Sequence, residues 1–220
     1  MVKLPKSFWL IAPFVTWMVL MTALPSTAWA YAVRTVATAA MLAAGLRQGR
    51  ETLDFRREPC LPSHVSRPLK SPVSRLKSSL SSSLVPGLAV GLAVFAIWVL
   101  PEQFDLPWYR RFCIIGEGGT QAVAEASAAM IAIRLIGSAF VISVAEELFF
   151  RKWLIGFAGF WPMVALFAVE HDRWLVAAIC GVAYGWLYLR RGLGAAIVAH
   201  ATTNLVLGIW VLKTGQWQFW

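Results

Sequence analysis

The run Val144-Ala145-Glu146-Glu147-Leu148-Phe149-Phe150-Arg151 places two carboxylates and a guanidinium within an otherwise apolar stretch. A charge near the middle of a bilayer costs on the order of 2.5–3.5 kcal/mol on insertion scales, whereas a Leu or Phe returns only about 0.3–0.6 kcal/mol. The three charges therefore have to be paired, lie near the interface or face a wet cavity. Glu147 and Arg151 are four residues apart, with the acid N-terminal to the base, the better orientation for a pair on one helical face. Glu146 lies about 100° further round the helix and has no such partner. A desolvated carboxylate without a counter-ion is suited to general-base chemistry. A structural salt bridge at a helix end is the alternative reading of the same spacing.

Two of the three histidines, His171 and His200, follow in apolar surroundings. His200 and Asn204 share a helical face at i, i+4, and both can donate hydrogen bonds to one oxygen, as an oxyanion site requires. Interhelical hydrogen bonding within a membrane is their structural alternative. Phe167 and His171 have the same spacing, so the phenyl ring can pack beside an imidazole that orients a water with Glu146. Glu170 and Asp172 flank His171 and are expected to take no part in catalysis. Trp161, Trp174, Trp186 and Tyr188 read as packing or interfacial anchors. The helical zinc signature His-Glu-x2-His is absent, although Glu146, His171 and His200 can still supply two histidines and one glutamate to a metal.

The ordered set Glu-Glu-x3-Arg, Phe-x3-His and His-x3-Asn resembles the CAAX prenyl protease and bacteriocin-processing (CPBP, or Abi) family of glutamate-type intramembrane endopeptidases. The resemblance covers roughly residues 131–212. It implies that Glu146 and His171 activate a water that attacks a peptide carbonyl. It also implies that His200 and Asn204 stabilise the resulting oxyanion, that Glu147 and Arg151 support the site, and that no metal cofactor is needed. Zn is the alternative.

The elements that position these residues are set by composition. Of the 220 residues, 59% are hydrophobic and 14% charged, with mean hydropathy +0.65, far from the roughly 25% charged residues of soluble domains. The excess sits in runs near the roughly 17–25 residues needed to cross a hydrocarbon core: 8–24, 28–46, 84–100, 131–150, 174–189 and 193–212. A shorter run, 153–168, is broken by Gly156, Gly159 and Pro162 and reads as a re-entrant or broken helix. The expected fold is all-α, a polytopic transmembrane helical bundle of six to seven spans in the cytoplasmic membrane. Residues 1–46 form an N-terminal hairpin, kept rather than removed as a signal peptide, and residues 84–220 form the protease-like core. An interfacial helix is expected over residues 116–129.

Net charge is +9. Much of it lies in 47–83, a basic Ser/Pro-rich linker whose arginines and lysines fit a cytoplasmic loop against anionic headgroups and do not point to nucleic acid. The positive-inside bias also places Arg151, Lys152, Arg190 and Arg191 on one side, which puts His171 on the other. A partnership of His171 with Glu146 instead requires 153–170 to fold back. The three cysteines show no paired spacing.

The function these observations favour is intramembrane endopeptidase, acting on a membrane-associated protein or peptide among membrane lipids. The alternative is a non-catalytic immunity or scaffold protein, or a small transporter, since intramembrane acids and histidines also mark ion pathways.

Overall fold

All seven apolar runs are helical, and the shortest, 153–168, is divided at Gly159 between two helices. The computed structural model describes residues 5–48, 72–115 and 127–219. Most of the basic linker (49–71) and of the interfacial helix expected over 116–129 (116–126) lie outside the described residues. The helices are α1 (Lys6–Ala23), α2 (Ala28–Gln48), α3 (Pro72–Gln103), α4 (Pro107–Cys113), α5 (Ala128–Ala158), α6 (Phe160–Val169), α7 (Trp174–Arg191) and α8 (Leu193–Thr214). No strand occurs among the described residues.

Among the described residues, five stretches are long and apolar enough to span a membrane: α1, α2, Ser83–Gln103 of α3, α5 and α8. Helix α6 has 10 residues, about 15 Å at 1.5 Å per residue, half of a hydrocarbon core of about 30 Å. The surface is that of a protein dissolved in lipid. Val36, Val85, Phe157, Trp161 and Val169 are exposed, while Ser143, Glu146, Glu147, Arg151, His200 and Thr203 are buried. Polar groups therefore gather on the bundle axis, where they can partner one another.

Helix α5 runs on through Trp153 to Ala158, past the end at residue 150 that its composition predicts. Gly156 continues the helix and Pro162 falls in the first turn of α6, where a missing N–H is harmless. The break occurs only at Gly159, whose φ of +96° few side-chain-bearing residues adopt. Glu146 lies thirteen residues before this turn and His171 twelve after it, so an antiparallel hairpin returns His171 to the depth of Glu146. Phe150 and Phe167, nearly symmetric about the same turn, meet edge to face at 5.1 Å.

This hairpin resolves the conflict between charge bias and chemistry. Arg151 does not mark a cytoplasmic boundary: it is fully buried against Glu147. An arginine paired inside a bundle carries no topological information, because its charge never has to reach water.

Helix α5 is also unwound to π-helical geometry at Gly137–Ile142 and Glu147–Leu154, on either side of Ser143–Glu146. Wider π turns advance each residue by a smaller angle, which helps Glu146 and Glu147 both face inward. Both are buried.

Helix α8 packs along α3 through a close approach at Gly91. A Cβ there would stand 2.5 Å from the Ala199 carbonyl oxygen and 2.7 Å from Thr202 Cβ, whereas one at Gly156 would meet nothing within 4 Å. Gly91→Ala should therefore lower the detergent-solubilised melting temperature sharply, by several degrees or to loss of folded protein, while Gly156→Ala leaves it unchanged or slightly raised. Thermal unfolding followed by tryptophan fluorescence checks both.

Candidate active site

Five helices, α3 and α5 to α8, converge on one cavity of about 180 Å³. Its walls include Glu146 from α5, His171 from the turn after α6, and His200 and Asn204 from α8. Trp98 of α3 and Tyr184 of α7 complete the aromatic side. All four residues singled out from the sequence as the chemical set thus face the same small space, although 58 positions separate the first from the last.

The bonding behind that wall fixes how each group can act. His200 Nδ1 lies 2.8 Å from Glu147 Oε1. The same oxygen lies 3.0 Å from an Arg151 guanidinium nitrogen, and a carboxylate held beside a cation can only accept. The Nδ1–H of His200 therefore donates to Glu147, and its Nε2 turns toward the Glu146 carboxylate at 3.8 Å. Tyr184 stacks on the His200 ring, with centroids 5.0 Å apart and planes 20° apart. The Tyr184 hydroxyl donates to Thr203 Oγ1 at 2.6 Å, which locks the ring plane.

Arg151 meets Glu147 as a charge contact, not an aligned hydrogen bond, and its guanidinium nitrogens have no hydrogen-bond acceptor. Aromatic faces supply the remainder. The guanidinium lies 4.2 Å from the Phe167 ring centroid and 5.4 Å from that of Tyr184, distances at which a ring quadrupole attracts a cation. Phe167 so supports both Arg151 and, at a centroid distance of 4.6 Å, His171.

His171 Nδ1 lies 2.8 Å from the Phe167 carbonyl oxygen. A carbonyl only accepts, so Nδ1 carries the proton and Nε2 is left with a free lone pair.

Glu170 was not expected to join the site, yet oxygens of Glu146 and Glu170 and a nitrogen of His171 lie within 4.8 Å of one another. Two carboxylates and an imidazole are a donor set that a divalent ion can use. These three residues are the ones that would hold a metal. His200, part of the two-histidine set expected from the sequence, is not in that group.

Asn204 takes up the interhelical hydrogen bonding that was its structural alternative. Its Nδ2 donates at 3.0 Å to the Ser138 carbonyl and at 3.1 Å to Ser143 Oγ. Both N–H bonds thus tie α8 to α5, at Ser138 in the first π-helical stretch and at Ser143 just after it, and do not point as free donors into the cavity. Ser138, Ser143, Tyr184 and Trp98 escaped the sequence reading, since none stands at a fixed spacing from the charged motifs. Thr203 and Glu170 each adjoin a singled-out residue, and that adjacency was the only available signal.

Residues 128–206 match the Rce1-like family model, described as type II CAAX prenyl endopeptidase Rce1-like. No curated protein and no solved structure matches the chain. The matched segment holds all three motifs and leaves out α1 to α4 and the end of α8.

Removing only one member of the buried Glu147–Arg151 pair leaves an uncompensated charge, worth about 3–5 kcal/mol. Arg151→Met should lose that much stability in a denaturant titration in detergent. The double variant Glu147→Gln/Arg151→Met should recover most of it, while remaining impaired in any function that depends on the orientation of His200.

Proposed function

We propose, from the match of residues 128–206 to the type II CAAX prenyl endopeptidase Rce1-like family model, that the chain is an intramembrane endopeptidase acting on a membrane-associated protein or peptide. The observation that carries this reading is the meeting of Glu146, His171, His200 and Asn204 around a single cavity. That cavity is smaller than the several hundred Å³ usual for drug-sized ligands. It accommodates a scissile peptide bond and one flanking side chain.

In this reading a water sits between Glu146 and the free Nε2 of His171. Glu146 removes one proton as the water oxygen attacks the peptide carbonyl carbon, and His171 accepts the second water hydrogen as a hydrogen bond. The carbonyl oxygen becomes an oxyanion. His200 serves it through Nε2–H, which requires a second proton on the ring. The Glu147 carboxylate on Nδ1–H supports that imidazolium electrostatically. Asn204 turns one N–H from Ser143 to the oxyanion, and the exchange is modest because the Ser143 hydroxyl keeps its own bond to the Ser138 carbonyl at 3.1 Å. As the C–N bond breaks, the proton held by Glu146 passes to the leaving amine. Arg151 takes no direct part; it fixes Glu147.

The chemistry so written uses no metal. Were an ion present, Glu146, Glu170 and His171 would hold it, and it would supply a polarised water.

Glu146→Gln should lower cleavage of a membrane-anchored substrate by about 10²–10⁴-fold, the range for loss of a general base. Asn204→Ala should cost about 10²–10³-fold, as for one oxyanion donor. Both variants should keep the wild-type melting temperature within a few degrees, and a strong zinc chelator should leave wild-type cleavage unchanged. Mass spectrometry of substrate processed in proteoliposomes measures all three. Full activity in Glu146→Gln excludes the proposed base, and loss with chelator replaces the metal-free mechanism with a metal-dependent one.

A further inference from the structure

Beyond Thr214 the chain turns back on itself. Gly215 takes a left-handed conformation (φ +70°, ψ 14°) and its N–H closes on the Val211 carbonyl at 2.8 Å. A short 3-10 turn, Trp217–Phe219, follows. Gln216 anchors the return: its Oε1 accepts from Gln103 Nε2 at 2.9 Å, at the end of α3, and from Trp210 Nε1 at 3.3 Å. Phe219 is thereby buried against Val99, Leu207 and Val211.

Its ring does more than fill that cluster, because Phe219 lines the cavity that holds Glu146 and His171. It stands on the His171 side. The guanidinium of Arg173, two residues beyond His171, lies 4.8 Å from the Phe219 ring centroid, and Arg173 is itself paired with Glu102 of α3. Trp98 bridges the two groups, meeting His171 edge to face at 5.7 Å and packing against the cluster that contains Phe219. The turn that carries His171 and the return after α8 are thus clamped together. This return lies beyond the family match at 128–206, so it is a feature of this chain and not of the matched segment.

We infer that residues 215–219 form a hook closing one side of the cavity, and that Phe219 limits the size of the substrate side chain held beside His171. The inference rests on the endopeptidase reading for its substrate, and the wall itself has a test that does not.

Cys180 of α7 also lines the cavity, whereas the other described cysteine, Cys113 of α4, is buried outside it. In the full chain carrying Cys60→Ser, the rates at which N-ethylmaleimide modifies Cys180 and Cys113 can be read together by peptide mass spectrometry. Phe219→Ala should raise the Cys180 rate at least five-fold and leave Cys113 unchanged. Phe219→Leu, which keeps an apolar wall, should stay within two-fold of the parent. Equal Cys180 rates in parent and Phe219→Ala, or a rise shared by Cys113, overturn the wall. In proteoliposomes, Phe219→Ala should also raise the kcat/KM ratio for a peptide with Phe over one with Ala beside the scissile bond by at least ten-fold. A parallel change for both peptides overturns the role in selectivity. Failure of the parent to cleave either peptide overturns the endopeptidase reading, and thiol labelling still decides whether the hook closes the cavity.

Discussion

One carboxylate oxygen, Oε1 of Glu147, receives both the Arg151 guanidinium and the Nδ1–H of His200. In a low-dielectric interior an unpartnered charge is so unfavourable that every element bearing one is drawn to a counterpart. Helix α5 brings the acid and its arginine, α8 brings the histidine, and the rings of Phe167 from α6 and Tyr184 from α7 cover the cation. The orientation of His200 and the closure of the aromatic wall both follow from satisfying this contact. Glu146, one residue earlier, is turned to the cavity by the same unwound helix and keeps a buried oxygen with no hydrogen-bond partner.

The second requirement is geometric. Bringing Glu146 and His171 to one cavity needs two positions on opposite sides of a turn to return to one depth. A helix of full spanning length between them would have carried His171 to the far side of the membrane. Helix α6 is short enough to return it, and Gly159 supplies the reversal that an L-residue would resist. The backbone carbonyl of Phe167 then fixes the imidazole tautomer, so one helix end sets both the height and the chemistry of His171.

Much of this was legible in the residues. Apolar runs near spanning length announce an all-α membrane bundle because lipid leaves the backbone no other partner than itself. The Glu147–Arg151 pair was legible because i, i+4 contacts are local and survive the change to π-helical winding. The convergence of three motifs on one cavity was foreshadowed by their order and by the rarity of polar residues in such runs. Three features were not legible. Arg151 read as a boundary charge because charge bias counts residues without seeing their partners. The acceptors of Asn204, Ser138 O and Ser143 Oγ, lie more than 60 residues away, so spacing did not choose between an oxyanion donor and the interhelical bonding that was its alternative. Glu170 was set aside because its proximity to Glu146 depends on the hairpin angle, which periodicity does not encode.

In the proposed mechanism a water activated at Glu146 attacks the peptide bond directly, with no covalent enzyme intermediate. Cleavage of a membrane-anchored substrate in ¹⁸O-labelled water, with hydroxylamine present as a trap, tests it most directly. Direct attack by water leaves one ¹⁸O atom at the new carboxyl terminus and no hydroxamate on the product. A hydroxamate product, or a substrate fragment attached to the enzyme, would contradict it.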